Sequence, residues 1–204
     1  MKTEQSEFWR GSFGDQYTDR NSDQSIISSN MNLFEKIIES TGFLESILEF
    51  GCNRGLNLLA IRQLMPKAEL SGVDVNAKAL QNLNQVDNRV VTMEGTIESF
   101  VSENMFDLVF TKGVLIHIHP DNLALAYSQI EKYSRRYVLL AEYFNPTPVE
   151  VEYRGHTGKL FKRDFAAELM SLYPSLTLVD YGFRYHLDPI YPLDNISWFL
   201  LEKR

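Results

Sequence analysis

Glu49, Gly51, Asn53 and Gly55 occupy alternate positions in Ile47-Leu-Glu-Phe-Gly-Cys-Asn-Arg-Gly-Leu-Asn57, between an apolar run and an amphipathic helical pattern. A strand, a tight turn and a helix start in that order can hold a nucleotide-like ligand. Glycine at 51 permits a positive φ and close approach, and the free N–H groups at the head of the helix form a polar cradle. Asp74 ends a second short strand, Glu69 to Asp74, about 20 residues after the turn, where a carboxylate can accept both hydroxyls of a ribose. Alone, Asp74 would serve equally as a turn residue or as the cap of the helix that Asn76 and Ala77 begin. Paired with the glycine turn, it becomes a candidate cofactor contact, with Val75 beside it.

The spacing discriminates between cofactors. A dinucleotide-binding turn needs glycine at its first, third and sixth positions; here these are Gly51, Asn53 and Leu56, so it fails twice. The acidic-x-Gly-x-Gly-x-Gly pattern of class I S-adenosylmethionine (SAM) methyltransferases is similar, with Glu49, Gly51, Asn53 and Gly55 in register. Asparagine replaces the central glycine, and it tolerates a left-handed backbone well. An ordinary strand-to-helix turn is the alternative. After the third strand, Arg89 to Met93, such enzymes often carry an acidic residue that bonds the adenine amino group. Here Gly95-Thr96-Ile97 follows, so backbone groups beside Thr96 would read the adenine edge while Ile97 packs on the ring. Cys52 lies within the turn, where a small residue packs beside the ligand; the alternative for it is a nucleophile.

Phe106-Asp-Leu-Val-Phe-Thr111 reads as a fourth, buried parallel strand, ended by Lys112-Gly113. A doubly wound sheet places its chemistry at that carboxyl end, so Thr111, Lys112 and Gly113 join the expected cofactor site. His117 is either a general base near neutral pH or a packed, hydrogen-bonded side chain. His119 precedes Pro120, the first residue of the next helix, and reads as a loop residue. The loops after the fourth and fifth strands should bring Lys112, His117, Glu142, Tyr143 and Asn145 to the transferred methyl. His117 or Glu142 would take a proton, and Tyr143 and Asn145 would align the acceptor. Arg154, His156, Lys162 and Arg163 form a basic patch suited to a carboxylate or phosphate on the substrate; the competing explanation is solvated charge near a helix start. No second cluster of His, Cys or carboxylate at ligand spacing suggests a metal.

The remaining chain must position these groups. Strand-like and helix-like segments alternate from Ser46 to Glu142, as in βαβ units with a parallel sheet. Helices are expected at Ile26 to Ser40, Leu56 to Met65, Asn76 to Leu83, Ile97 to Ser102, Asp121 to Lys132 and around Lys162 to Leu172. A fifth strand spans Arg136 to Glu142, a turn-rich insertion runs to His156, and Leu176 to Tyr185 and Ile196 to Glu202 make a closing antiparallel pair. The fold class is α/β, a Rossmann-like seven-stranded sheet with helices on both faces. One domain is expected over 1–204: an arm and first helix (1–45), a cofactor core (46–142) and a substrate-side segment (143–204). The aromatic N-terminal segment, with Trp9 and Tyr17, reads as a lid over the cofactor or as a surface arm. At 204 residues and 44% hydrophobic content the chain can bury a full core. Its net charge of −7 and the absence of a long Lys/Arg cluster disfavour a nucleic-acid partner. One cysteine precludes an internal disulfide, and no segment reads as a membrane span or signal peptide, so a cytoplasmic location is expected.

Over nearly its full length the chain resembles the pseudaminic acid biosynthesis-associated methylases, class I SAM-dependent enzymes. The resemblance rests on Phe8-Trp9 with Phe13-Gly-Asp15 and Tyr17, on Glu49 to Asn57, and on Phe106 to His117. Ala141 to Glu150, Tyr153 to His156, Leu160 to Phe165 and Trp198 to Arg204 extend it. It implies SAM as cofactor, S-adenosylhomocysteine as product and an association with nonulosonic sugar pathways, and asparagine at position 53 suits that group. The acceptor would be an amine or hydroxyl of a small polar metabolite, such as an anionic sugar or sugar nucleotide. Other chemistry on SAM, or a non-catalytic SAM-binding role in such a pathway, are the alternatives.

Overall fold

A computed structural model of the chain describes residues 3–20 and 25–204. In chain order the helices are α1 (Glu4–Arg10), α2 (Ser12–Arg20), α3 (Ser25–Thr41), α4 (Leu56–Leu64), α5 (Ala77–Val86), α6 (Pro120–Tyr133) and α7 (Phe165–Leu172). The strands are β1 (Ser46–Phe50), β2 (Glu69–Asp74), β3 (Val91–Glu94), β4 (Phe106–Lys112), β5 (Ser134–Glu142), β6 (Val149–Tyr153), β7 (His156–Lys162), β8 (Leu176–Arg184) and β9 (Ile196–Lys203). Seven strands form one sheet in the order β3-β2-β1-β4-β5-β9-β8, in which β1 to β5 run parallel. The last strand, β9, is antiparallel to both its neighbours.

Parallel strands covered on both faces need unbroken apolar runs, and β1 shows why. Ile47 packs on one side with Leu33, Phe34 and Ile37 of α3 and Leu58 and Ile61 of α4. Leu48 and Phe50 point the other way, toward the layer holding Leu123, Tyr127 and Ile130 of α6 and Phe165 and Leu169 of α7. Strand order reverses between β1 and β4, and the crevice at such a point is where a doubly wound sheet binds its ligand.

Three local expectations change. The helix expected over Ile97 to Ser102 is a single 3₁₀ turn, Ile97–Ser99, closed by reciprocal Thr96 and Ser99 caps. It stops because the buried Phe100 turns into the core against Phe50 (5.1 Å between rings) and Tyr133 (4.6 Å). The insertion before His156 contains strand β6, and β6 and β7 make a hairpin. Arg154 and Gly155 both take positive φ (52° and 82°), which suits a two-residue turn between the paired Tyr153 and His156. The last helix therefore begins only at Phe165, where Asp164 accepts the Ala167 N–H at 2.9 Å.

Candidate active site

The turn after β1 is built from left-handed residues. Gly51, Asn53 and Gly55 have φ of 70°, 46° and 72°, so asparagine does adopt the conformation that a glycine would hold there. The N–H groups of Gly51 and Cys52 donate to the Val73 carbonyl at 2.7 and 3.0 Å. Asp74 completes the brace, accepting the Asn53 N–H on Oδ2 at 2.7 Å and the Asn76 N–H on Oδ1 at 2.9 Å.

Glycine at 51 takes the expected positive φ and has a packing reason as well. A Cβ at Gly51 would stand 2.4 Å from Val114 Cγ2, so protein packing as well as the positive φ demands its absence. Gly55 does not line the cavity; it precedes α4, and a Cβ there would meet Leu83 Cδ1 at 2.4 Å. Gly51→Ala is expected to cost about 1–3 kcal/mol of stability, measured by urea unfolding, because it adds left-handed strain and a clash.

A cavity of about 460 Å³ opens beside this turn, within the size range of small-molecule sites. The ends of β2 and β3 contribute Asp74, Val75, Thr96 and Ile97, and those of β1 and β4 contribute Gly51, Cys52, Lys112 and Gly113. Asn53 and His117 line it from the following loops, and Trp9 and Tyr17 from α1 and α2. These twelve expected site residues are brought together. Sequence reasoning missed Asn30 of α3, Asn57 of α4, and His186 and Asp194 of the segment between β8 and β9, which also line the cavity.

The arm holds the cavity from above. The Thr18 hydroxyl donates to Asn53 Oδ1 (3.1 Å), and the Asn76 amide donates to Asp15 (2.9 Å). The Trp9 ring lies 4.6 Å from His117 and 6.3 Å from Tyr153 of the hairpin. Lys159 of β7, itself buried, reaches Glu4 of α1 at 2.6 Å.

His117 Nδ1 lies 2.6 Å from the Lys159 carbonyl. A carbonyl only accepts, so Nδ1 carries the proton and Nε2 is left as the acceptor. Burial pushes the imidazole pKa down to about 4, so the ring is neutral at pH 7.

Two amide side chains that line the cavity, one from α3 and one from α4, have an oxygen left open. Asn30 Oδ1 and Asn57 Oδ1 are buried and have no hydrogen-bond partner among the described residues. Burial lowers the Lys112 pKa, countered by the charges of Glu49, Asp194 and Glu142.

Glu49 does not line the cavity, contrary to expectation. It is fully buried, accepts the Asn57 amide at 2.6 Å, and burial pushes its pKa up to about 8. Between pH 4.5 and 8 the folded chain keeps a proton that the unfolded chain has released, so this group's contribution to stability falls as pH rises through that window. Glu49→Gln keeps the acceptor for Asn57 and removes this loss. It is expected to raise stability near pH 8 by about 2 kcal/mol, or roughly 4–8 °C in Tm, with little change near pH 4.5.

The other residues expected at the site lie outside the cavity. Thr111 is fully buried in β4. Both oxygens of the buried Glu142 accept backbone N–H groups: Val114 gives to both (3.1 and 3.0 Å), Leu115 to Oε1 (3.1 Å) and Ile116 to Oε2 (3.4 Å). Glu142 thus fastens the loop after β4, and its lone pairs are taken up there rather than offered to a substrate. Tyr143 donates to Asp194 at 3.1 Å, so it positions a lining residue from behind. The Asn145 amide bonds the Thr147 carbonyl within its own loop.

Nor do the basic residues converge on the cavity. Arg163 pairs with Glu168 (2.7 Å), Lys162 sits over the Tyr143 ring (5.5 Å), and Arg154 and His156 are exposed at the hairpin turn, where His156 meets Phe8. β-strand alternation and the hairpin turn send neighbours in sequence to different surroundings. Burial raises the Cys52 thiol pKa, which keeps it a packing residue. Among the described residues no His/Cys/Asp/Glu group could hold a metal, and no helix is long and apolar enough to cross a membrane.

Residues 47–136 match the family model described as "Methyltransferase domain". Among solved structures, the chain is similar to a 1,6-didemethyltoxoflavin-N1-methyltransferase from Burkholderia thailandensis, with 17% identity and a TM-score of 0.72 over 100% of this chain and 91% of the other. It is also similar to the magnesium protoporphyrin IX methyltransferase of Synechocystis PCC 6803 (13%, TM-score 0.70, over 100% and 99%). A third is an amino pentose methyltransferase of calicheamicin biosynthesis from Micromonospora echinaspora (11%, TM-score 0.66, over 95% and 97%). No curated protein matches the chain in sequence. Residues 47–136 thus form a methyltransferase domain, and the chain as a whole shares the fold of these SAM-dependent methyltransferases.

Proposed function

We propose that this enzyme transfers the SAM methyl group to an amine or hydroxyl of a small polar metabolite, a sugar or sugar nucleotide of a nonulosonic (pseudaminic-type) acid pathway. The observation that carries the reading is the cavity-lining His117, neutral and held by the Lys159 carbonyl so that Nε2 accepts. Methyl transfer is an in-line displacement at a sulfonium carbon, in which orientation supplies most of the acceleration. His117 takes the proton that an amine or hydroxyl must lose.

In this reading Asp74 holds the ribose, and the backbone at Thr96 with Ile97 holds the adenine. Lys112, Asp194, Asn30 and Asn57 meet the zwitterionic end of SAM, whose carboxylate and ammonium complement the lysine, the aspartate and the two open amide oxygens. The amino pentose methyltransferase of similar fold accords with a sugar acceptor, and the resemblance running from Phe8-Trp9 to Arg204 accords with the pathway.

Calorimetric titration with SAM, S-adenosylhomocysteine and NAD tests the cofactor assignment, and an acceptor panel of amino sugars and sugar nucleotides, read by product mass, tests the substrate class. Micromolar binding of the two sulfur nucleosides, no binding of NAD, and a one-methylene mass gain on a sugar are the expected results. Gain on a non-sugar metabolite alone would remove the sugar assignment, and NAD binding would remove the site.

A further inference from the structure

The outer end of the sheet carries an aromatic surface that the methyl-transfer site does not use. On β8, Tyr181 and Phe183 are 68% and 58% exposed, and Tyr185 just beyond is also exposed. They alternate with Asp180, Gly182 and Arg184, so the two sets lie on opposite faces. The charged set faces α3: Ser40 bonds Asp180 at 3.1 Å, and Arg184 bonds Asn32 at 2.9 Å. On the aromatic face Tyr181 stacks against Phe199 of β9 (6.4 Å), and Phe199 against the exposed Phe144 (5.9 Å). Leu178, on the same strand, and Leu187 and Ile190, in the following segment, are exposed as well.

We propose that this face packs against the same face of a second copy of the chain, making a two-fold dimer. Area is the first argument. At about 200 Å² per ring, Phe144, Tyr181, Phe183 and Tyr185 together expose on the order of 400 Å². With Leu178 the surface reaches the roughly 300–600 Å² of the largest and often functional patch on a typical monomer, about half of the roughly 800 Å² per partner of a stable interface. Charge is the second. A chain of net charge −7 repels its copy over most of its surface, whereas here Asp180 and Arg184 are turned to the other face and an isologous contact needs only self-complementarity.

The sheet edge itself is guarded against strand addition. The β8 pairing is interrupted by a bulge between Leu178 and Asp180, and the Asp180 carboxylate takes up the Tyr181 N–H at 2.8 Å. Bulges and charges of this kind block edge-to-edge pairing, so the contact is face to face.

Light scattering coupled to gel filtration on the full chain at micromolar concentration tests this. The expected mass is twice that of one chain. Tyr181→Lys with Phe183→Lys, neither of which lines the cavity, is expected to give a monomer whose SAM affinity stays within about twofold. If the double variant fails to bind SAM, the single Tyr181→Lys variant decides in the same way. A monomeric wild type overturns the proposal; a SAM-binding variant that remains dimeric overturns it by placing the interface elsewhere.

Discussion

Replacing His117 with alanine is expected to lower turnover by roughly 10²–10⁴-fold, the range that a positioned general base contributes. Its SAM affinity should change by no more than a few-fold, because the ring is one wall among many. The pH profile separates the base from a mere wall. Because the folded pKa is pushed below 6.5 to about 4, Nε2 remains an acceptor down to the lower value, and kcat/KM should hold through 6.5 and fall only near 4. Stability behaves differently: as pH drops through that window the unfolded histidine takes a proton that the folded one refuses, so the wild type is destabilised and the alanine variant escapes that loss. Unchanged turnover in His117→Ala would return the residue to a packing role. His117→Gln, which retains bulk and a polar tip but cannot take a proton at neutral pH, should be as slow as alanine.

Asp74→Ala is expected to weaken SAM binding roughly 100-fold, about 2.8 kcal/mol at 1.4 per decade. Two losses combine. The carboxylate proposed to hold the ribose hydroxyls vanishes, and the Asn53 and Asn76 N–H groups lose the acceptor that braces the turn. Asp74→Asn should recover little, since one of its two positions becomes a donor facing an N–H. Titration calorimetry measures the affinity, and circular dichroism establishes that the variant is folded. Undiminished affinity in a folded variant would reduce Asp74 to a brace.

Much of this molecule is legible in the chain because its signals are local. Ile47 to Phe50 and Leu108 to Phe110 carry mostly apolar runs with residues for both faces, as buried parallel strands require, and Asn53 takes the left-handed backbone that its place between two glycines suggests. Groups assembled from distant segments leave no such mark. Asn30 and Asp194 come from α3 and the segment before β9, and nothing around them in sequence distinguishes a cavity residue from a surface one; Asn57 follows the glycine turn directly, but only the fold shows its side chain at the cavity. Glu142 shows the reverse error. Its position after a strand suggested chemistry, yet the backbone N–H groups of Val114, Leu115 and Ile116 occupy it, and those bonds follow from a loop path that local sequence does not encode. The basic residues between Arg154 and Arg163 misled because proximity in sequence stood in for proximity in space, and the hairpin separates them.

The N-terminal arm has a kinetic consequence. Trp9, Tyr17 and Thr18 line the cavity, and the arm is tied at the glycine turn, at Asn76 and at Lys159. If the cofactor lies beneath that cover, its release requires the ties to open, and its residence time then depends on the opening of the arm as well as on the contacts it makes. Each catalytic cycle must exchange spent S-adenosylhomocysteine for SAM along the same route. Weakening the Glu4 to Lys159 tie would then speed steady-state turnover wherever product escape is the slow step, without touching a group that meets the reacting atoms.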